Sequence, residues 1–356
     1  MWKVNPAVFA LGREYQIMQY VDCEAMMWVR VGDKIYYDAV NGILRSQTSV
    51  HRVTVPMEVL DREKRYTVYL QKVIDRKPYF PENAEPQSKE FSFRPLPDGV
   101  IRAYHIADAH DHVKEPVAAA RAYGDFDFLI LNGDIPNHCG FENNAETIYK
   151  IASELTDGSI PVVFSRGNHD MRGRYAENFA ANTPCCNGNS YYTFRMGKIW
   201  GMVLDCGEDK PDTDPEYGST ICCHAFRQQE TAFIRQAIAD ARTEYAAEGI
   251  AVKMVISHIP FTMRHPGVFD IETDTYAEWT KLLADHVKPD LILCGHMHEA
   301  EIIECKDEKD AFGQPCRVVV GSAVKTEADG KLLFTGAGLS FENDRIEVRF
   351  TDNALL

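Results

Sequence analysis

No apolar stretch in this chain is long enough to cross a bilayer as a helix. The opening Met1-Trp2-Lys3-Val4-Asn5-Pro6 lacks the apolar core of a signal peptide, so a cytoplasmic location is expected unless a leader has been removed. Positive charge is scarce: 38 Lys and Arg against 53 Asp and Glu leave a net charge of −15. Nucleic-acid affinity rests largely on Lys and Arg neutralising phosphates, so a surface that grips such a polymer is not expected. Bound cations would still reverse the sign inside a local cleft. The 10 cysteines include no C-x-x-C spacing of the zinc-knuckle kind. Cys294 falls in an apolar run, Cys206 follows one, and Cys185-Cys186 and Cys222-Cys223 are adjacent pairs. They read as reduced thiols acting as small hydrophobes. Internal repeats and low-complexity tracts are also missing. At 356 residues, 45% hydrophobic and 26% charged, the chain is an ordinary globular protein with room for two domains or one large one.

Two textures divide it. Up to about residue 95, short β-rich runs follow one another: 15–21, 25–31, 34–37, 51–55, 66–74 and 90–93. Val53 and Val55 alternate with Thr54, as in half-buried strands, and no helix is expected between the runs. Closely spaced short strands suggest a small all-β sandwich. Pro78, Pro81, Pro86, Pro95 and Pro97 then mark an extended linker, giving expected domains 1–95 and 96–356. Beyond Val100, strands alternate with helix-length segments at 113–123, 145–155, 225–245 and 276–287, the pattern of an α/β domain with a largely parallel sheet. Three late runs, 317–322, 332–339 and 346–350, read as strands that extend or complete a second sheet.

Five segments place metal-binding side chains where strands should end. They are Asp108-Ala109-His110, Gly133-Asp134, Gly167-Asn168-His169-Asp170, Ser257-His258-Ile259-Pro260 and Gly295-His296-Met297-His298. Ligands of open α/β sheets bind beyond the carboxyl ends of the strands, so these side chains gather at one sheet edge. Imidazole with carboxylate or amide oxygen suits Mn, Fe, Zn or Ni. Without thiolates, a closed structural zinc site is not expected. A carboxylate can bridge two cations and offset part of their repulsion. Such a pair lowers the pKa of bound water and clamps the oxygens of an in-line phosphoryl displacement.

In order and residue type, these segments resemble the signature of the calcineurin-like metallophosphoesterases over roughly residues 100 to 300. The resemblance implies a four-layer α/β/β/α sandwich holding two divalent or trivalent metal ions. Asp108, His110 and His298 would bind one, Asn168, His258 and His296 the other, and Asp134 would bridge. His169 would assist the leaving oxygen with Asp170 orienting its ring, while hydroxide attacks directly without a covalent phospho-enzyme. On the residues alone, Asp170 reads equally as the N-cap of a helix from Met171 to Phe179.

The domain order is similar to that of purple acid phosphatases, and Leu60 to Val68 resembles the tyrosine-corner region of fibronectin type III domains. Those phosphatases carry a Tyr ligand shortly after the bridging Asp, where this chain reads Gly133-Asp134-Ile135-Pro136-Asn137, and normally lack the His found at His110. No purple colour is therefore expected. Arg172 and Arg174 are candidates to reach a substrate phosphate, His138 and His112 to line the cleft, and the polar 207–224 loop to act as a specificity flap. The expected substrate is a small phosphomonoester or small phosphodiester, with no membrane partner. A nuclease on the same fold is opposed by the acidic charge, and a non-catalytic scaffold by the filled ligand positions.

Overall fold

A computed structural model describes residues 1–326, 330–342 and 345–355. Its largest sheet has nine strands among the described residues, in the order Ala323–Thr326, Leu332–Glu342, Ile101–Ile106, Phe128–Asn132, Pro161–Ser165, Ala7–Leu11, Glu14–Tyr20 and Val50–Pro56. Arg345–Asp352 completes it against Leu332–Glu342. A six-stranded sheet faces it, ordered Tyr192–Met196, Ile199–Leu204, Val252–Ser257, Leu291–Cys294, Val318–Gly321 and Ala300–Ile303.

The central strands are short continuous apolar runs because both of their faces are buried. Met254 and Ile256 join the core between the sheets, while Val255 between them joins the core under the outer helices. Leu291 and Leu293 divide from Ile292 and Cys294 in the same way. Helices Lys114–Tyr123 and Glu146–Thr156 cover the first sheet, and Cys223–Ala239 and Thr273–Leu282 the second, giving the expected α/β/β/α layering. A single π-type turn, Leu283–Val287, extends the last of these helices.

The N-terminal part is all-β apart from one helix, Met57–Glu63, which the sequence did not signal. Pro56 opens that helix, and Lys64 closes it in the left-handed conformation with its N–H on the Leu60 carbonyl. The expectation of two units held apart by a linker meets a different arrangement. Ala7–Leu11 pairs parallel with Pro161–Ser165, so the nine-stranded sheet runs on through Glu14–Tyr20 and Val50–Pro56. A separate sheet of Gln87–Ser92, Arg65–Asp75, Ala25–Val31 and Lys34–Tyr37, with Glu82–Asn83 beside it, packs on that extension through Met27, Val29, Tyr66 and Val68. The N-terminal sandwich thus has one sheet of its own and shares the other. The expected tyrosine corner is not formed, because the Tyr66 hydroxyl donates to the Gly158 carbonyl (2.7 Å) and not to nearby upstream backbone.

Strand register brings the loops together. Ile106 is level with Leu131, Asn132 with Ser165, Leu204 with Ser257 and Ile256 with Leu293, so all five polar segments leave the sheets at one edge.

Candidate metal centre

Two backbone features hold the loops close. Asp108, His110, Asp134, His296 and His298 all have positive φ, between 44° and 69°. Few non-glycine residues adopt this conformation, and where it persists the surroundings impose it, commonly at functional sites. The flanking glycines act mainly by having no side chain. A Cβ on Gly167 would lie 2.2 Å from Asp134 Oδ1, one on Gly295 2.5 Å from Ala107 Cβ, and one on Gly133 2.5 Å from His258 Nδ1. Of the three, only Gly133 also needs its positive φ of 79°.

The expected ligand side chains fall into overlapping groups. Asp108, His110 and His298 converge, as do Asp134, His258 and His296, and a third group joins His110, Asp134 and His169. His298 Nε2 lies 3.4 Å from Asp108 Oδ1 and 3.1 Å from His110 Nε2. His258 Nε2 stands 3.2 Å from Asp134 Oδ2 and 3.7 Å from Asp108 Oδ1. Asn168 Oδ1 meets His296 Nδ1 at 3.1 Å.

Charge reflects this crowding. Burial alone would lower the basicity of His258, but the Asp134 and Asp108 carboxylates override it and hold its pKa up at about 10. Burial, then the neighbouring His258, push His296 down to about 4. Asp134 and Asp108 are fully buried, yet the adjacent imidazoles keep both below the usual carboxylate range.

The donor set fits cations. His258 Nε2 and His110 Nδ1 are buried without a hydrogen-bond partner, a costly condition for polar atoms unless something else satisfies them. His258 Nδ1 faces the Asn132 carbonyl at 2.7 Å; a carbonyl only accepts, so Nδ1 keeps its proton, and a cation bound beside the carboxylates would take the place of the second proton, on Nε2.

His169 lies at the rim. Its N–H donates to Asp134 Oδ1 (2.9 Å), and its Nδ1 donates to the Asn137 carbonyl (2.8 Å). That carbonyl, and not Asp170, orients the ring. The Asp170 carboxylate turns inward and accepts from the Gly167 N–H (2.7 Å) and the Asp134 N–H (3.3 Å). Burial and the nearby Asp134 hold its pKa well above the ordinary range. Nor does Asp170 cap a helix over 171–179; the stretch forms two 3-10 turns, His169–Met171 and Ala176–Asn178, neither with a side-chain cap, and a short helix begins only at Phe179.

Arg172 reaches the site wall, with Nη1 3.3 Å from His169 Nε2, but its fork is held by Glu208 at 2.9 Å on both branches. Arg174 instead stacks over Tyr175, and His138 accepts from the Gly140 N–H beside Phe141. His112 is exposed and faces Glu115 at 3.9 Å. The 207–224 loop supplies residues that the sequence did not single out. Asp209, Lys210 and Tyr217 wall the site, and Arg172, Glu208 and Tyr217 border a cavity of about 520 Å³. His265 packs its ring edge against His296, with centroids 6.3 Å apart. Polar loops resembling any other surface gave no periodic signal for these positions.

The profile of the calcineurin-like phosphoesterase family matches residues 101–300. Among solved structures, the purple acid phosphatase PPD1 from yellow lupin (Lupinus luteus) seeds is 12% identical with a TM-score of 0.59, over 99% of this chain and 72% of that one. TT1561 of Thermus thermophilus is 16% identical, with a TM-score of 0.42 over 70% of this chain and 98% of that one. The first likeness shows a shared fold; the second is too weak to bear on it. No curated protein sequence matches significantly. No described helix is long and apolar enough to cross a membrane. With the family profile covering more than half of its length, and its fold shared with a purple acid phosphatase, the chain belongs to the calcineurin-like phosphoesterase family.

Proposed function

We propose that the chain hydrolyses a small phosphomonoester or a small phosphodiester at a dinuclear metal centre. Asp108, His110 and His298 would hold one ion, Asn168, His258 and His296 the other, with Asp134 between them. The observation that carries this is the sharing of Asp134: its carboxylate faces His258 on one side and groups with His110 and His169 on the other. When bound, two such cations activate water and stabilise charge on the phosphoryl oxygens. Mn, Fe, Zn and Ni all suit these donors.

The remaining work falls to the chain itself. His258 has its tautomer set by Asn132, so it presents Nε2 without a search over ring orientations. His169, pinned through Nδ1, keeps Nε2 at 4.0 Å from Asp134 Oδ2, on the open side of the cluster. Once it takes up a second proton, on Nε2, it is placed to give that proton to the departing alkoxide. Arg172 beside it is already neutralised by Glu208 and Asp209. Its part is to fix the flap against the His169 loop more than to bind substrate.

The test is metal analysis combined with hydrolysis of an aryl phosphate and a bis-aryl phosphate. Two ions per chain with turnover of either ester is the expected result. Two ions without turnover would leave a metal-binding scaffold.

A further inference from the structure

Asp209 stands out in the 207–224 loop because its two carboxylate oxygens have different surroundings. Oδ1 accepts from the Tyr217 hydroxyl at 2.8 Å and lies 3.4 Å from both Arg172 Nη2 and Lys210 Nζ. Oδ2 makes none of these contacts and faces His296 Nε2 at 4.0 Å. His296 Nδ1, on the opposite side of the ring, meets Asn168 Oδ1. At His258 a backbone carbonyl holds the proton on Nδ1; at His296 the Asn168 amide oxygen facing Nδ1 also only accepts, so a cation taken up by both atoms would leave the proton on Nε2, where the Asp209 carboxylate faces it.

We propose that Asp209, held by Tyr217, is a positioning residue: its charge facing Nε2 favours the Nε2-protonated ring that an ion held by His296 Nδ1 and Asn168 requires. This rests on the dinuclear reading above. A ligating histidine commonly gives its other N–H to a carboxylate, which fixes the ring and raises its donor strength. A carboxylate at 4.0 Å in a buried wall acts by charge, and the tyrosine and the two cations on Oδ1 prevent it from turning away. The flap would then be part of the metal site's support, so that opening it loosens one ion and not the other.

Titration of metal-free protein with Mn²⁺ alone tests this. In Asp209→Ala, one of the two ions should bind about 10–100-fold more weakly, the usual scale for losing such a partner, with the other unchanged. Asp209→Asn keeps the shape but removes the charge, so it should weaken the same ion almost as much as Asp209→Ala. Tyr217→Phe should weaken the same ion by a smaller factor, and it carries the test if Asp209→Ala does not fold. Unchanged affinities in Tyr217→Phe and Asp209→Ala, or equal weakening of both ions, would overturn the brace. Fewer than two Mn²⁺ per wild-type chain would instead overturn the dinuclear reading beneath it.

Discussion

The Tyr66 hydroxyl donates to the Gly158 carbonyl across 92 residues of sequence, joining the N-terminal sandwich to the turn that precedes the Pro161–Ser165 strand. Arg52 reinforces the join through the carbonyls of Ala180 and Thr183, as does Gln16 through that of Cys185. Tyr66→Phe would leave a buried carbonyl without a partner, a loss of about 1–3 kcal/mol. Urea unfolding should show it as a lower midpoint with an unchanged slope. Gly158→Ala should cost more, since φ there is +69° and a Cβ would sit 2.7 Å from the Tyr66 oxygen.

Asp134→Asn removes the carboxylate shared by the two histidine groups. It is expected to bind fewer ions than wild type and to lose activity, read by metal content and aryl phosphate hydrolysis. Gly167→Ala replaces no ligand but should weaken metal binding by about 10-fold or more, because the added methyl must displace Asp134. Full metal content in Gly167→Ala would show that the cradle is looser than these distances imply.

His169→Asn should keep both ions. Esters with poor leaving groups should slow most, by about 10²–10⁴-fold, and activated aryl esters least. A uniform slowing across leaving groups would remove the acid role.

Glu230 offers a pH test away from the metals. It is fully buried, accepts the Asp205 N–H at 2.8 Å, and is held well above its ordinary pKa of 4.5, first by burial and then by Asp205. Above pH 4.5 the unfolded chain releases this proton while the folded chain keeps it. Stability is therefore fully present below that pH and declines as pH rises towards the folded-state value, by up to about 1.4 kcal/mol per pH unit. Glu230→Gln should flatten that decline and melt higher than wild type near neutrality. Parallel melting curves from about pH 5 to about pH 8 would count against it.

Much of the centre was legible in the sequence because each loop pairs a ligand type with a strand just before it, and the strands' carboxyl ends lie at one edge. The buried strands followed from apolar runs too short for helices and too continuous for half-exposed strands, while the four layers were implied only by the family resemblance. Other features carried no such signal. Ala7–Leu11 is buried on both faces, so it shows no alternation, and its pairing with Pro161–Ser165 joins segments far apart in the chain. Met57–Glu63 is under two turns, shorter than a helical period can reveal. The orientation of Asp170 was misjudged because adjacency in sequence does not give direction: its carboxylate points into the turn, and the His169 ring takes a carbonyl from another loop. Asp209 and Tyr217 were visible only as members of a long polar segment, since the contact that distinguishes them exists only after folding.

Ala7–Leu11 lies between Pro161–Ser165 and Glu14–Tyr20, which bears on how the chain can be divided. A fragment starting at residue 96 would keep every proposed ligand but bare the amides and carbonyls along one side of Pro161–Ser165, a strand whose residues are all buried in the intact chain. An open apolar border of this kind recruits strands from other molecules. The isolated phosphoesterase half should therefore self-associate, and co-expressing residues 1–95 as a separate piece should restore a dispersed protein.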